Sequence, residues 1–274
     1  MGLSDRRQKI LDAVEQRGLL SMREVARLAG TSEATARRDL RFLAGEGLIR
    51  RTHGGAAASS MVSREAPYRE KAEQAAAEKE SIAAAAAEMI SDGEAVALGA
   101  GTTTLALARR LHDREDLTVV TNSLLVWAAL HRAGRVHLLL SGGLVRTSTH
   151  ALIGPIAEQA LAGLFVSTLY LSGNGLTAAR GLSTPDVLTA AVDRRLARSA
   201  GRVVVLVDHT KVGVEAMSQT VATSDIHCVV TDDKADLREL ARLRDLGVEV
   251  IVTTPAPAAG HDSPRYPDID QLLG

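Results

Sequence analysis

Six residues, Gly99 to Thr104, read GAGTTT and stand between an apolar run and a helix-like segment. Gly99 and Gly101 let backbone N–H groups turn towards one point, and the hydroxyls of Thr102, Thr103 and Thr104 add donors. A helix starting there aims the positive end of its dipole at the same point. That arrangement suits a phosphate. The six residues would also serve as a tight strand-to-helix turn without a ligand. They lack the lysine of a P-loop and the spacing of a dinucleotide fingerprint.

Similar polar clusters follow other apolar runs. They are Thr121-Asn122-Ser123, Ser141-Gly142-Gly143 with Arg146 just beyond, Gly173-Asn174-Gly175, and Asp208-His209-Thr210-Lys211. Ligands of open parallel sheets sit at the carboxyl ends of strands. Gly99, Gly101, Thr102, Thr103, Thr104, Thr121, Asn122, Ser123, Gly142, Gly143, Arg146, Asn174, Asp208 and Lys211 are therefore expected to converge on one pocket. Its ligand would be small, polyhydroxylated and phosphorylated, with Lys211 and Arg146 meeting phosphate or sugar oxygens. Taken singly, each residue also fits an exposed surface position. No catalytic set, metal site or cofactor is expected.

A second group lies near the N-terminus, where Thr31 to Gly55 reads TSEATARRDLRFLAGEGLIRRTHGG. With RRQKILDAVEQRG and SMREVARLAG before it, the pattern is three short helices and a tight turn, the helix-turn-helix plan. Ile10, Leu11 and Val14 share a face, Ser21 and Glu24 form a capping box, and Ala36, Leu40 and Leu43 make a buried stripe. The third helix would enter the major groove of DNA, with Ser32 and Thr35 near bases or phosphates. Arg37 and Arg38 differ by about 100° around the helix. One can pair with a guanine and the other with a phosphate; Arg41 joins them. The strand LIRR and turn HGG read as a wing, with Arg51 tracking the backbone and His53 and Gly54 at the turn. The first 55 residues hold eleven basic and seven acidic side chains in a chain whose net charge is −1. A basic head on a mildly acidic body points to an anionic partner. A three-helix bundle that binds protein is the competing reading.

These residues need elements to position them. The chain has 274 residues, 46% hydrophobic and only 2% aromatic. Its core must be built from Ala, Val, Leu and Ile, which suits helices packed on a parallel sheet. The runs AVAL, LTVV, VHLLL, FVSTLYLS, RVVVLVD, CVVTDD and VEVIVT alternate with helical stretches, the pattern of an α/β fold. The expected organisation is a winged helix-turn-helix over 1–57, a linker over 58–76 that becomes helical and runs on towards Asp92-Gly93, an open, mostly parallel α/β domain over 77–254, and a proline-rich tail over 255–274. A single cysteine, Cys228, excludes a disulfide framework and a cysteine-based zinc site. With no signal-peptide pattern and no apolar run long enough to span a bilayer, a cytoplasmic location is expected and a membrane partner is not.

Two sets of motifs carry a family resemblance. RRQKILDAV, VARLAGTSEATARRDLRFLAGEGLIRRTHGGA and the run from Thr35 to Gly55 resemble the DNA-binding domain of the DeoR family of bacterial transcription regulators. DGEAVALGAGTTT, LTVVTNS, LLLSGGLVR with ALIGP, GLSTPD and VDHTKVG are similar to that family's sugar-phosphate sensor domain. The resemblance runs from about Arg6 to Thr253. It implies that Ser32, Thr35, Arg37 and Arg38 belong to a recognition helix and His53 to the wing. It implies a sensor fold similar to ribose-5-phosphate isomerase. Operator DNA, a phosphorylated sugar and further copies of the chain are the implied partners, in a regulator, expected to be a repressor, of sugar metabolism. Two positions depart from the family pattern. Where many relatives carry an acidic residue and a lysine four apart, this chain has Thr189 and Asp193. An isomerase would need a carboxylate base beside the sugar. LVRTSTHALIGP has no acidic residue, GNGLTA has none either, and Asp186, Asp193 and Asp208 stand elsewhere in the sequence. The body therefore reads as a binding module, with an isomerase-like enzyme carrying a DNA-binding head as the alternative.

Overall fold

The computed structural model describes residues 5–17, 19–45, 48–52, 54–58 and 68–255. His53 and the expected tail from 256 onward lie outside the described residues. Chain contacts divide the molecule into two units, Met1–Arg64 and Glu65–Gly274.

The first unit is three helices and a small antiparallel sheet. They are α1 (Asp5–Arg17), β1 (Leu19–Ser21), α2 (Met22–Leu28), α3 (Glu33–Gly45), β2 (Ile49–Thr52) and β3 (Gly55–Ala58), with strand order β1-β3-β2. Ile10, Leu11, Val14, Val25, Ala36, Leu40, Leu43, Ile49 and Ala56 close into one core. The capping box opens α2: Ser21 Oγ accepts from the Glu24 N–H, and the Glu24 carboxylate accepts from the Ser21 N–H at 2.8 Å. Strand β1 is not announced by LLS, because three residues show no period; its pairing with β3 creates it. That pairing also explains Gly55. A Cβ there would fall 1.8 Å from the Leu20 carbonyl oxygen. Gly55→Ala is expected to destabilise the unit by at least about 1–3 kcal/mol, the range for a forced overpacking. A lowered melting temperature together with lost DNA binding would be the result; an unchanged melt would contradict the β1–β3 register.

The second unit opens with α4 (Tyr68–Glu73) and α5 (Ala76–Ala87), followed by β4 (Ala95–Leu98), α6 (Thr102–Arg109), β5 (Leu117–Thr121), α7 (Leu124–Leu130) and β6 (Val136–Leu140). A two-stranded ribbon, β7 (Leu144–Arg146) with β8 (Ala151–Ile153), leads into α8 (Pro155–Ala160) and β9 (Val166–Leu171). Then come β10 (Gly175–Thr177), β11 (Gly181–Thr184), α9 (Val187–Arg198), β12 (Ala200–Leu206), β13 (Ser218–Val221), β14 (Cys228–Asp232), α10 (Leu237–Asp245) and β15 (Glu249–Thr253). The seven apolar runs seen in the sequence are the seven strands of one sheet, order β15-β14-β12-β9-β4-β5-β6, with every pair parallel.

Strand alternation divides the core into two layers. Val96, Leu98, Val119, Val204 and Leu206 pack against α5, α6 and α7. Ala97, Val120, Leu169, Val203 and Val205 face α8, α9, α10 and the small sheet β10-β11-β13. Residues 68–73, inside the linker expected to become helical, form α4, with Ala72 fully buried. The continuous helix expected to follow is interrupted at Ala75, whose φ of 53° and ψ of 40° are left-handed. Among the described residues no helix is long and apolar enough to cross a membrane.

Candidate functional sites: a basic helix face and an anion pocket

In the first unit, α3 buries Ala36, Asp39, Leu40 and Leu43 and exposes Arg37, Arg38 and Arg41. Arg38 and Arg41 lie roughly 150° around the helix from the middle of the buried stripe, and Arg37 about 110°. Ser32 Oγ accepts from the Thr35 N–H at 3.3 Å and lies 3.2 Å from Thr35 Oγ1, capping the first turn. Gly54 is exposed, and Arg51 lies in β2 with its side chain outside the description. Not all of the basic head faces outward. Arg6 donates to Asp39 at 2.7 Å and Arg7 at 3.0 Å, and the Arg7 guanidinium lies 3.8 Å from the centre of the Phe42 ring. Burial alone would raise the Asp39 carboxyl. The hydrogen bonds from Arg6 and Arg7, with their charge, outweigh it and hold the carboxyl below its usual range. The sequence pair Arg38-Asp39 thus splits, one to solvent and one to a buried hub.

This hub makes a stability prediction. Asp39→Asn is expected to cost about 1.5–3 kcal/mol, the range for hydrogen bonds to a charged group. Because the folded carboxyl titrates low, its contribution is complete above the unfolded value near 4 and is lost as pH falls through the folded value. Wild type and variant should therefore differ at neutral pH and converge in strong acid in thermal melts. A constant difference across that range would remove Asp39 from this role.

In the second unit, the strand order creates one topological switch. From β4 the chain moves outward through β5 and β6, then returns to place β9 on the other side of β4. A crevice opens at such a point, beyond the carboxyl ends of the two diverging strands. A cavity of about 50 Å³ lies there. Gly101, Thr102 and Thr103 line it after β4, Ser172, Gly173 and Asn174 after β9, and Asp208 and Lys211 after β12. The first N–H groups of α6 have no acceptor inside the helix, and the residues that carry them form this wall. Gly101 is tightly packed: a Cβ there would lie 3.1 Å from Ser172 Cβ and 3.1 Å from Thr104 Oγ1. Gly99 serves packing, since its Cβ would meet Leu171 Cδ1 at 2.4 Å. Thr104 is fully buried and donates to the Gly101 carbonyl at 3.0 Å, bracing the turn from behind.

The clusters after β5 and β6 are on the far side of the switch and do not line this cavity. Asn122 supports the cradle instead: its Oδ1 accepts from the Ala100 N–H at 3.1 Å, while its amide donates to the Leu152 carbonyl. Thr121 donates to the Leu98 carbonyl at 2.7 Å, and Ser123 caps α7. Gly142 and Gly143, both at positive φ, turn the chain from β6 into β7. Arg146 bonds Asp186 at 2.9 Å, and Asp186 caps α9 through the Thr189 N–H.

The structure adds residues that the sequence reading passed over. Lys79, 2% exposed, lines the cavity with Lys71, Tyr68, Thr149 and Thr184. Its ammonium donates to the carbonyls of Lys71 and Gln74. Burial pushes it down to about 8; Asp208 opposes that shift, and Lys211 and Lys71 add to it. Thr189 and Asp193, the two positions that depart from the family pattern, also line the cavity. Asp208 accepts from the N–H and hydroxyl of Thr210. The next residue, His209, donates its N–H to the buried Asp232 at 2.7 Å and sets Nδ1 2.9 Å from the same carboxylate. That hydrogen bond raises the His209 imidazole above its ordinary value against the effect of burial. The Asp208–Lys211 turn is thereby tied to the end of β14.

Two family models match the chain. The DeoR-like helix-turn-helix domain covers residues 6–62 and the DeoR C-terminal sensor domain residues 74–233. The chain is 35% identical to the transcriptional repressor AccR of Agrobacterium fabrum over 83% of this chain and 89% of that one. It is 33% identical to the HTH-type transcriptional regulator GlpR of Haloferax volcanii, over 90% and 97% of the two chains. It is 32% identical to the HTH-type transcriptional repressor CsqR of Escherichia coli, over 90% and 94%. Among solved structures, a ribose-5-phosphate isomerase from Methanocaldococcus jannaschii aligns with 49% of this chain and 53% of its own, at 17% identity and a TM-score of 0.37.

Proposed function

This chain belongs to the DeoR family of transcription regulators, and from that premise we propose that it represses a sugar-metabolism operon under the control of a phosphorylated sugar bound in the second unit. The observation that carries the reading is the cavity at the β4–β9 switch. A helix N-terminus and the lysines Lys71, Lys79 and Lys211 all border one small space, a combination that favours a phosphate. Asn174, Thr184, Thr189, Asp193 and Asp208 border the same space and offer the mixed donors and acceptors that hydroxyl groups need. The family regulates transcription, so the pocket's task is binding. Asp193 and Asp208 act there as acceptors for sugar hydroxyls, and the isomerase alternative is set aside.

Control requires the ligand to bind two arrangements of the protein with different affinity. The DNA-binding side is the exposed face of α3 with Arg37, Arg38 and Arg41, joined by Ser32, Thr35 and the wing residues Arg51, His53 and Gly54. A homo-oligomer in the cytoplasm would present paired heads to paired half-sites. The deciding experiment is fluorescence anisotropy on a labelled fragment from upstream of the protein's own gene, at two salt concentrations, with and without a panel of sugar phosphates. Salt-dependent, specific binding that one sugar phosphate alters is the expected result. Specific binding that no phosphorylated compound alters would overturn the effector assignment.

A further inference from the structure

We propose that Tyr68–Ala75, the helix α4 and the turn behind it, is a strap that the pocket's ligand displaces, and that its release is the signal passed along the chain towards the DNA-binding unit. The inference rests on the reading of the pocket as a phosphate site and goes beyond it.

The strap is fastened at both ends and packed in its middle, and the fasteners at its end belong to the pocket. At its start the Tyr68 N–H donates to the Ser148 carbonyl at 3.1 Å, and the Tyr68 ring meets His150 edge-on, with centroids 5.6 Å apart. Ala72 is buried in its centre. At its end, two carbonyls left over by the short helix, those of Lys71 and Gln74, are both taken by the ammonium of Lys79. Lys211 reaches across to the Gln74 side chain at 3.3 Å. Lys79 and Lys211 are thus strap fasteners and pocket walls at once.

A phosphorylated ligand competes with this arrangement for the two lysines. Two of the three N–H donors of Lys79 already serve strap carbonyls. A dianion seated against the N-terminus of α6 attracts both ammonium groups far more strongly than neutral carbonyls do. Transfer of Lys79 and Lys211 to the ligand leaves the Lys71 and Gln74 carbonyls without their donors and frees the strap. The hinge for this movement is Ala75. An L-residue with a Cβ is held in the left-handed region at a cost, and here the fastening maintains it. The strap is also the first described element after the boundary at Arg64, the part of the second unit nearest in sequence to the DNA-binding unit.

Ala75 does not line the cavity, which allows the strap to be tested without altering the site. Glycine accepts the left-handed conformation readily and valine resists it. With inorganic phosphate as the probe, calorimetry on the full chain should find Ala75→Gly about fivefold weaker and Ala75→Val about fivefold tighter than wild type, the scale set by the cost of a Cβ in that region. Hydrogen exchange with phosphate present should slow the amides of Gly101–Thr104 and quicken those of 68–75. Ala75→Val alone should quicken the strap. Phosphate that protects Gly101–Thr104 while strap exchange and the Ala75 variants stay at wild-type values overturns the strap and leaves the pocket reading intact. No protection at Gly101–Thr104 overturns both.

Discussion

Gly101→Asp is expected to abolish the response to effector while operator binding stays at the wild-type level. Gly101 is the N-cap of α6 and its φ of 172° is extended backbone open to any residue, so the change introduces no backbone strain. A Cβ there meets Ser172 Cβ at 3.1 Å, which asks for a shift of a few tenths of an ångström. Aspartate is also a favoured N-cap, so its carboxylate would turn onto the first N–H groups of α6. Those are the groups proposed for the phosphate. The variant would plug the cradle with a charge of its own. A second anion about 4 Å away would face a repulsion of about 4 kcal/mol at an effective dielectric constant near 20. Effector response should therefore fall by a factor of a hundred or more in the anisotropy assay. Gly101→Ala, with the Cβ and no charge, should fall far less. A variant that responds at the wild-type effector concentration would remove α6 from the site.

The second large effect is expected at the other unit. Arg38→Ala should weaken operator binding by about 1–3 kcal/mol and relax preference at one base pair, the signature of a lost bidentate contact to guanine. Arg38 lies near the middle of the exposed face, one turn beyond the exposed Ala34, whose small side chain would let the helix approach DNA closely. Arg37 lies to the side of that face. Arg37→Ala should instead weaken specific and non-specific DNA alike and reduce the salt slope by about one, as a phosphate contact does. Neither change touches the core, because Asp39 carries the internal ion pairs with Arg6 and Arg7. Equal binding by Arg38→Ala and wild type, with both melting alike, would exclude α3 as the reading helix.

Much of this architecture is written in local pattern. Each of the seven sheet strands is a short, mainly apolar run; the inner strands are legible because both their faces are largely buried, and the edge strands β6 and β15, half-exposed with His137 and Glu249, by their aliphatic residues. Ser21 and Glu24 announce α2 because a capping box needs only four consecutive residues. The glycines and threonines of 99–104 are legible as a turn opening a helix for the same reason. The core stripe of α3 follows from the helical period alone, and so does the outward placement of Arg37, Arg38 and Arg41.

What the sequence alone does not contain is which distant segments become neighbours. Five polar clusters follow strand ends, yet those after β4, β9 and β12 border the cavity, while Thr121-Asn122-Ser123 and Ser141-Gly142-Gly143 do not. The difference is strand order, set by the crossover that places β9 beside β4. No local period reports a crossover. Lys79 was hidden for a related reason. Its helix is so rich in alanine that Glu78, Lys79 and Glu80 mark no polar face, and only packing against the strap turns Lys79 inward. Nothing local marks Asp39 apart from the other charges of α3; α1 brings Arg6 and Arg7 to it from more than thirty residues away. Sequence determined the elements and their inward and outward faces, because those depend on neighbours within a turn or a strand. Tertiary structure decided the site, because a binding pocket is made of residues whose only connection is that the fold leaves them side by side.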